Sequence, residues 1–260
     1  MILCLDVGNS HIYGGLFEGD QLRLTFRRTS SGRSSSDELG LFFRSVLREN
    51  GFDPDAITNV ALCSVVPELV YSIAGSMQKY FGVRPFILKA GVKTGLKILY
   101  RNPVEVGSDR IANAIAGTGM FPDENLLIID LGTATTVDAI SAERDYLGGA
   151  IIPGLRLSMQ ALDQGTARLS SVEIIRPDKC LGRTTAASIQ SGLYFGHLGA
   201  LSTICAHLTA EMFDGKKPRV IATGGFASLF AEAGLYDNQA PDLVLRGLLM
   251  ALVMNLPASH

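Results

Sequence analysis

The chain has 260 residues, 47% hydrophobic and 18% charged, enough to bury a substantial core and form two compact lobes. Its 23 Lys and Arg against 25 Asp and Glu give a net charge of −2, which excludes the electrostatic footprint of a protein that binds nucleic acid or an anionic membrane. Cys4, Cys63, Cys180 and Cys205 are widely spaced with no CxxC, and read as reduced, buried thiols of a cytoplasmic protein.

In chain order, an apolar strand runs from Met1 into Asp6, turns through Gly8, Asn9 and Ser10, and returns as a second strand from Ile12. There is no basic leader or cleavage site before it, and no apolar run approaches the ~20 residues of a membrane span. Residues 21–28 extend the sheet and 29–36 form a polar loop. Ser35 and Glu38 have capping-box spacing, and Leu39, Phe42, Phe43, Val46 and Leu47 recur at the helical period. A buried strand over 59–66, a helix opened by Pro67 and running to about Phe81, and a strand over 84–88 follow, an alternation that signals α/β architecture. The loop-rich segment 90–103 carries Lys93, Lys97, Tyr100 and Arg101. It leads to Gly107, Ser108, Asp109 and Arg110 at the mouth of a helix over 111–119.

Residues 126–140, LLIIDLGTATTVDAI, repeat the opening motif: an apolar strand into Asp130, a turn at Gly132, and a returning strand. The apolar entry without alternation predicts a strand covered on both faces. Two copies of strand, Asp-x-Gly and strand, more than a hundred residues apart, suggest a duplicated fold whose halves face each other across a cleft. Residues 146–153 lead into a helical stretch over 154–169. A Gly- and Ala-rich helix over 183–213 suits close packing of helix on helix, a strand spans 219–223, Gly224 and Gly225 turn into a short helix, and 242–256 closes the chain.

The sequence lacks GxxxxGK[ST], and no GxGxxG follows a strand. His11, His197, His207 and His260 are scattered without metal-ligand spacing; His197 and His207 read as helix residues and His260 as tail. Phosphates would therefore be cradled by hairpin amides, by threonine hydroxyls such as that of Thr133, and by Gly-Gly turns. Asp6 and Asp130 suit such a place only with a cation between them and the phosphates; the alternative is that each caps its own turn. Asp109 at a helix N-terminus is favoured by the macrodipole with or without chemistry, and Arg110 by itself is equally consistent with a surface salt bridge.

The segments Asp6-Val7-Gly8-Asn9-Ser10, Gly107-Ser108-Asp109-Arg110, Asp130-Leu131-Gly132-Thr133-Ala134-Thr135-Thr136 and Gly148-Gly149-Ala150-Ile151-Ile152-Pro153-Gly154, in this order and spacing, resemble the type III pantothenate kinases. The resemblance continues through Gln190-Ser191-Gly192 and Thr223-Gly224-Gly225. It implies a duplicated ribonuclease-H-like, actin-like ATPase fold of the acetate kinase, sugar kinase, Hsp70 and actin superfamily. Its two lobes, 1–115 and 116–260, would flank a nucleotide cleft. The implied activity is phosphorylation of pantothenate by ATP, with Mg²⁺ and a monovalent cation, K⁺ or NH₄⁺, in a homodimer. By position, nucleotide binding falls on Asp6, Val7, Gly8, Asn9, Ser10, His11, Ile12, Tyr13 and Thr133, with Asp6 near Mg²⁺. Catalysis falls on Asp109, pantothenate binding on Tyr100, Gly107, Ser108, Asp109, Arg110 and Thr185, and the monovalent cation on Asp130. Ser10 stands where threonine is usual, and Thr184 beside Thr185 where the family often has asparagine. Another small-molecule kinase and a noncatalytic nucleotide-binding regulator are the rival readings.

Overall fold

The computed structural model describes residues 1–30, 34–166 and 169–257; the expectations at 31–33, at 167–168 and for His260 lie outside them. The first sheet has the strand order β3-β2-β1-β4-β5, with β1 Ile2–Val7, β2 His11–Glu18, β3 Gln21–Thr29, β4 Asn59–Ser64 and β5 Phe86–Ile87. The second has the order β11-β10-β7-β8-β9-β6, with β6 Lys97–Ile98, β7 Leu126–Leu131, β8 Ala134–Ile140, β9 Asp145–Pro153, β10 Arg219–Thr223 and β11 Asn238–Gln239. The duplication is explicit in these orders. β1 pairs antiparallel with β2 and parallel with β4, just as β7 pairs antiparallel with β8 and parallel with β10. Each second-to-third strand pair also carries a register shift at the same place, between Leu16 and Phe17 and between Ala139 and Ile140. Only β6, a two-residue strand in the stretch expected as loop, lies outside the repeat; it pairs parallel with β9.

Helices α1 Ser36–Glu49, α2 Pro67–Phe81, α3 Ser108–Met120, α4 Leu155–Gly165, α5 Thr185–Met212 and α6 Leu243–Asn255 complete the fold. Helix α1 begins where the capping box places it, Glu38 N–H donating to Ser35 Oγ and Ser35 N–H to Glu38 Oε2 at 2.7 Å. Helix α3 begins at Ser108, earlier than the expected 111, so Asp109 and Arg110 lie in its first turn. The strand expected over 84–88 shrinks to β5, whereas α5 is one unbroken helix.

The chain divides into two compact units, the first holding Met1–Gly95, Arg101–Ala116 and the C-terminal stretch from Leu243, the second Leu96–Tyr100 and Gly117–Asp242. The division is thus not a single cut at 115, because α6 packs on β1 and β4. It does so because Leu245, Leu248 and Leu252 are buried and because Gly247 lets the α6 backbone meet the carbonyl of Ala112 in α3, where a Cβ would collide. In the first unit Leu3, Leu5, Val7, Leu39, Phe43 and Leu47 share one core. In the second, Leu127, Ile129, Leu155, Met159, Tyr194 and Phe230 share another. Each such side chain contributes about 1.5–3 kcal/mol by leaving water.

Candidate active site

In the first unit the turn after β1 is built by its backbone. Gly8 N–H donates to His11 O at 3.0 Å, Ser30 N–H to Ser10 O at 2.9 Å, and Ser30 Oγ to Gly8 O at 2.6 Å, so the end of β3 braces the loop. Val7 and Ile12 are fully buried in the core, so only their amides can serve a ligand; Asn9 and His11 are exposed. Tyr13 lies opposite Asp6 across the hairpin and carries the Arg27 guanidinium 4.1 Å from its ring centroid. On the other side Asp6 faces Cys63 of β4, whose thiol donates to Asp6 Oδ1 at 3.3 Å. Burial above all, then Asp6 and Asp109, holds the Cys63 thiol well above its ordinary value, which places Asp109 within electrostatic reach of the same side chain as Asp6.

Asp109 is positioned by its neighbours in sequence and by β4. Ser108 Oγ accepts from Ser64 N–H at 3.1 Å and donates to Ser64 O at 3.2 Å, pinning the first turn of α3 to the end of the strand beside β1. Asp109 Oδ1 accepts Arg110 N–H at 2.8 Å and sits against the Cα of Gly107, where any Cβ would collide. The glycine makes room for the carboxylate. Arg110 is only 7% exposed, which removes the surface salt bridge as its role.

In the second unit Asp130 takes the place of Asp6, facing Thr136 across the hairpin and Thr223 on β10. The turn is tight: Gly132 N–H donates to Ala134 O at 3.1 Å and Gly154 N–H to Thr133 O at 3.2 Å, leaving the Thr133 side chain exposed. Gly224, at φ +88°, closes on Asp130; a Cβ there would lie 2.6 Å from Asp130 Oδ1 and from the Leu131 backbone. Behind the loop, buried Thr135 Oγ1 and His197 Nε2 are 3.0 Å apart, and burial lowers the His197 pKa. This contact ties α5 to the loop.

Tyr100, just past β6, lies over Gly148 and beside Tyr146, with ring centroids 6.4 Å apart. Thr184 is the N-cap of α5 and its Oγ1 accepts Ala187 N–H at 3.1 Å, so its hydroxyl is engaged. Thr185 instead lines a cavity of about 730 Å³ with Ser158, Ser188 and apolar side chains of α4 and α5, among them Leu157, Leu162 and Ile189.

The sequence-expected residues therefore fall into two groups. Asp6, Val7, Gly8, Asn9, Ser10, His11, Ile12, Tyr13, Gly107, Ser108, Asp109 and Arg110 belong to the first unit, and Tyr100, Asp130, Thr133 and Thr185 to the second. Sequence reasoning missed Cys63, Ser64, Thr135 with His197, and Tyr146 with its acceptor Asp138; the apolar run around Cys63 and the apolar helical run around His197 signal only core. Of the cysteines, Cys4 and Cys63 are buried as expected, but Cys205 is half-buried, with its thiol pushed up to about 11 by burial, and Cys180 is exposed. Among the described residues no three His, Cys, Asp or Glu side chains gather as a metal-holding group. No helix of the described residues is long and apolar enough to cross a membrane.

A family model described as type III pantothenate kinase matches residues 2–207. A relative from Legionella pneumophila (strain Corby) is 59% identical over 255 residues, 98% of this chain and 99% of its own length; one from Elusimicrobium minutum is 50% identical over the same shares; both bear that name. A crystal structure from Campylobacter jejuni, of a protein assigned to the Baf family of transcriptional activators, aligns with TM-score 0.63 at 18% identity, covering 97% of this chain and 98% of that one. Another from Sinorhizobium meliloti, assigned as a 2-dehydro-3-deoxygalactonokinase, aligns with TM-score 0.60 at 13% identity, covering 100% and 98%. At such identities the likeness concerns the fold alone.

Proposed function

The chain belongs to the type III pantothenate kinase family, and on that premise we propose how its residues share the transfer of a phosphoryl group from ATP to pantothenate, the first step of coenzyme A biosynthesis. The observation that carries the division of labour is the seating of Asp109. One oxygen is held by Arg110 N–H and by the gap at Gly107, and the helix turn that bears it is fastened to the end of β4 beside Asp6. Its second oxygen, Oδ2, takes the proton of the pantothenate hydroxyl. That hydroxyl oxygen forms the new bond to the γ-phosphorus as the bond to the β–γ bridging oxygen breaks and ADP leaves. Phosphoryl transfer asks little covalent work of a protein, so aiming the nucleophile is the main task of this carboxylate.

The amides and hydroxyls of Asp6, Val7, Gly8, Asn9, Ser10, His11, Ile12 and Tyr13, with Thr133, hold the ATP phosphates. Tyr100, Gly107, Ser108, Asp109, Arg110 and Thr185 contact pantothenate. ATP comes with a divalent ion, which neutralises phosphate charge; Asp6 is its protein ligand in this reading and the ion is Mg²⁺. Asp130, packed under Gly224, holds a monovalent cation, K⁺ or NH₄⁺. Each unit is a ribonuclease-H-like lobe, the active form is a homodimer, and the enzyme works in the cytoplasm. A coupled assay of ATP consumption with and without pantothenate tests the reading. Turnover should require pantothenate; equal rates without it, or with another alcohol only, would overturn it.

A further inference from the structure

Tyr146 is fully buried, yet it carries a hydroxyl that must find a partner. It donates to Asp138 Oδ1 at 2.6 Å, and Asp138 is itself 1% exposed, with Thr136 Oγ1 at 3.4 Å from its other oxygen. The pair meets because of the register shift in the β8–β9 ladder. Asp138 faces Gly149 and Ala139 faces Gly148, but Ile140 faces Tyr146, so Leu147 is the extra residue. Unbroken pairing would place Leu147 opposite Ile140 and send Tyr146 to the other face; the bulge brings it onto the face of Asp138.

The duplicated sheet supplies an internal comparison. The equivalent bulge in the first unit falls at Arg23, and the places of Asp138 and Tyr146 are held by Gly15 and Leu22, where a Cβ added to Gly15 would meet the apolar ends of Leu22 and Leu245. The fold therefore builds this corner without a buried carboxylate and phenol. The second sheet differs here in one further respect, the added strand β6, which carries Tyr100 onto the Tyr146 ring and over Gly148, whose φ of +128° only glycine tolerates readily.

We propose that Tyr146 and Asp138 are positioning residues of the pantothenate site: their buried hydrogen bond locks the ring that Tyr100 rests against, and so fixes the Tyr100 contact with substrate. The proposal rests on the reading of Tyr100 as a pantothenate contact. The test is steady-state kinetics of the full chain carrying Tyr146→Phe, Tyr100→Ala, or both. Tyr146→Phe should raise the KM for pantothenate roughly tenfold while leaving kcat and the KM for ATP within about twofold, a split that general loosening of the fold would not produce. In the double variant Tyr146→Phe should add nothing to Tyr100→Ala. If Tyr100→Ala raises that KM and Tyr146→Phe does not, the positioning role is overturned while the Tyr100 reading stands. If Tyr100→Ala has no effect, both fall. Asp138→Asn, which keeps an acceptor for the phenol, serves where Tyr146→Phe fails to fold; it should raise the same KM less steeply, and an unchanged value would overturn the proposal.

Discussion

Asp6 and Asp130 hold one and the same position in two copies of a sheet, each at the end of the first strand, each opposite a hairpin partner, and each beside a buried residue on the parallel neighbour. Their surroundings have diverged. Asp6 has a thiol donor in Cys63 and, in Tyr13, an aromatic partner capped by Arg27; Asp130 has small hydroxyl neighbours, Thr136 and Thr223, and a glycine closing over it. On the proposed reading, Asp130 under Gly224 would hold the monovalent ion, and Asp6 beside the Gly8 turn the divalent ion that travels with ATP.

That divergence predicts cation dependence assignable to one residue. Replacing K⁺ by Na⁺ at fixed Mg²⁺ should lower turnover, and Asp130→Ala should be slow and equally slow in both salts. Equal wild-type rates in the two salts would remove Asp130 from that role.

The duplicated hairpins were legible because an apolar run into Asp-x-Gly leaves few alternatives to strand, turn and strand, and because the pattern occurs twice. The capping box at Ser35 and the proline opening α2 were legible for similarly local reasons. What escaped depends on partners distant in sequence. Two-residue β6 exists only because β9 pairs with it, and α6 joins the first unit through contacts with residues more than a hundred positions away. Tyr146 escaped because a bulge reverses the simple alternation by which facing is read. Thr184 and Thr185 were indistinguishable by composition, and only the cap geometry separates the engaged hydroxyl from the one that lines the cavity.

The buried contact between Thr135 and His197 predicts how stability responds to acid. Burial lowers the His197 pKa below the ~6.5 of the unfolded imidazole, so between the two values the unfolded chain binds more protons than the folded one. The contribution is present above about pH 6.5 and is lost as pH falls towards the folded value. Urea unfolding at about pH 7.5 and about pH 5.5 should show a larger loss in the wild type than in His197→Gln. Identical losses would mean that another group sets the acid limit.

The glycines of α5 predict an oligomer. Gly192, Gly196 and Gly199 are exposed, and no heavy atom of the described residues lies near the point where a Cβ would stand. Gly192 also lines the Thr185 cavity, whereas at Gly196 and Gly199 a second helix could approach the backbone closely. Sedimentation at micromolar concentration should give a dimer, and Gly196→Leu should shift it towards monomer with loss of activity. A fully active wild-type monomer would defeat the reading.

The last prediction separates two roles of Asp109 by magnitude. A carboxylate in the first turn of α3 complements the helix dipole, and if that were all, Asp109→Asn would lower stability by about 0.3–1 kcal/mol and leave turnover nearly intact. If Oδ2 receives the proton of the attacking hydroxyl, the amide cannot, and kcat should fall by roughly 10² to 10⁴. That loss corresponds to about 2.7–5.5 kcal/mol at the transition state, so the two outcomes scarcely overlap. Asparagine still presents an oxygen to Arg110 N–H and fits the space left by Gly107, which keeps the turn in place. Calorimetric titration with a nonhydrolysable ATP analogue should therefore give near wild-type affinity. A folded Asp109→Asn enzyme that binds the analogue normally and turns over at close to the wild-type rate would remove Asp109 from the proton transfer and leave it a helix cap.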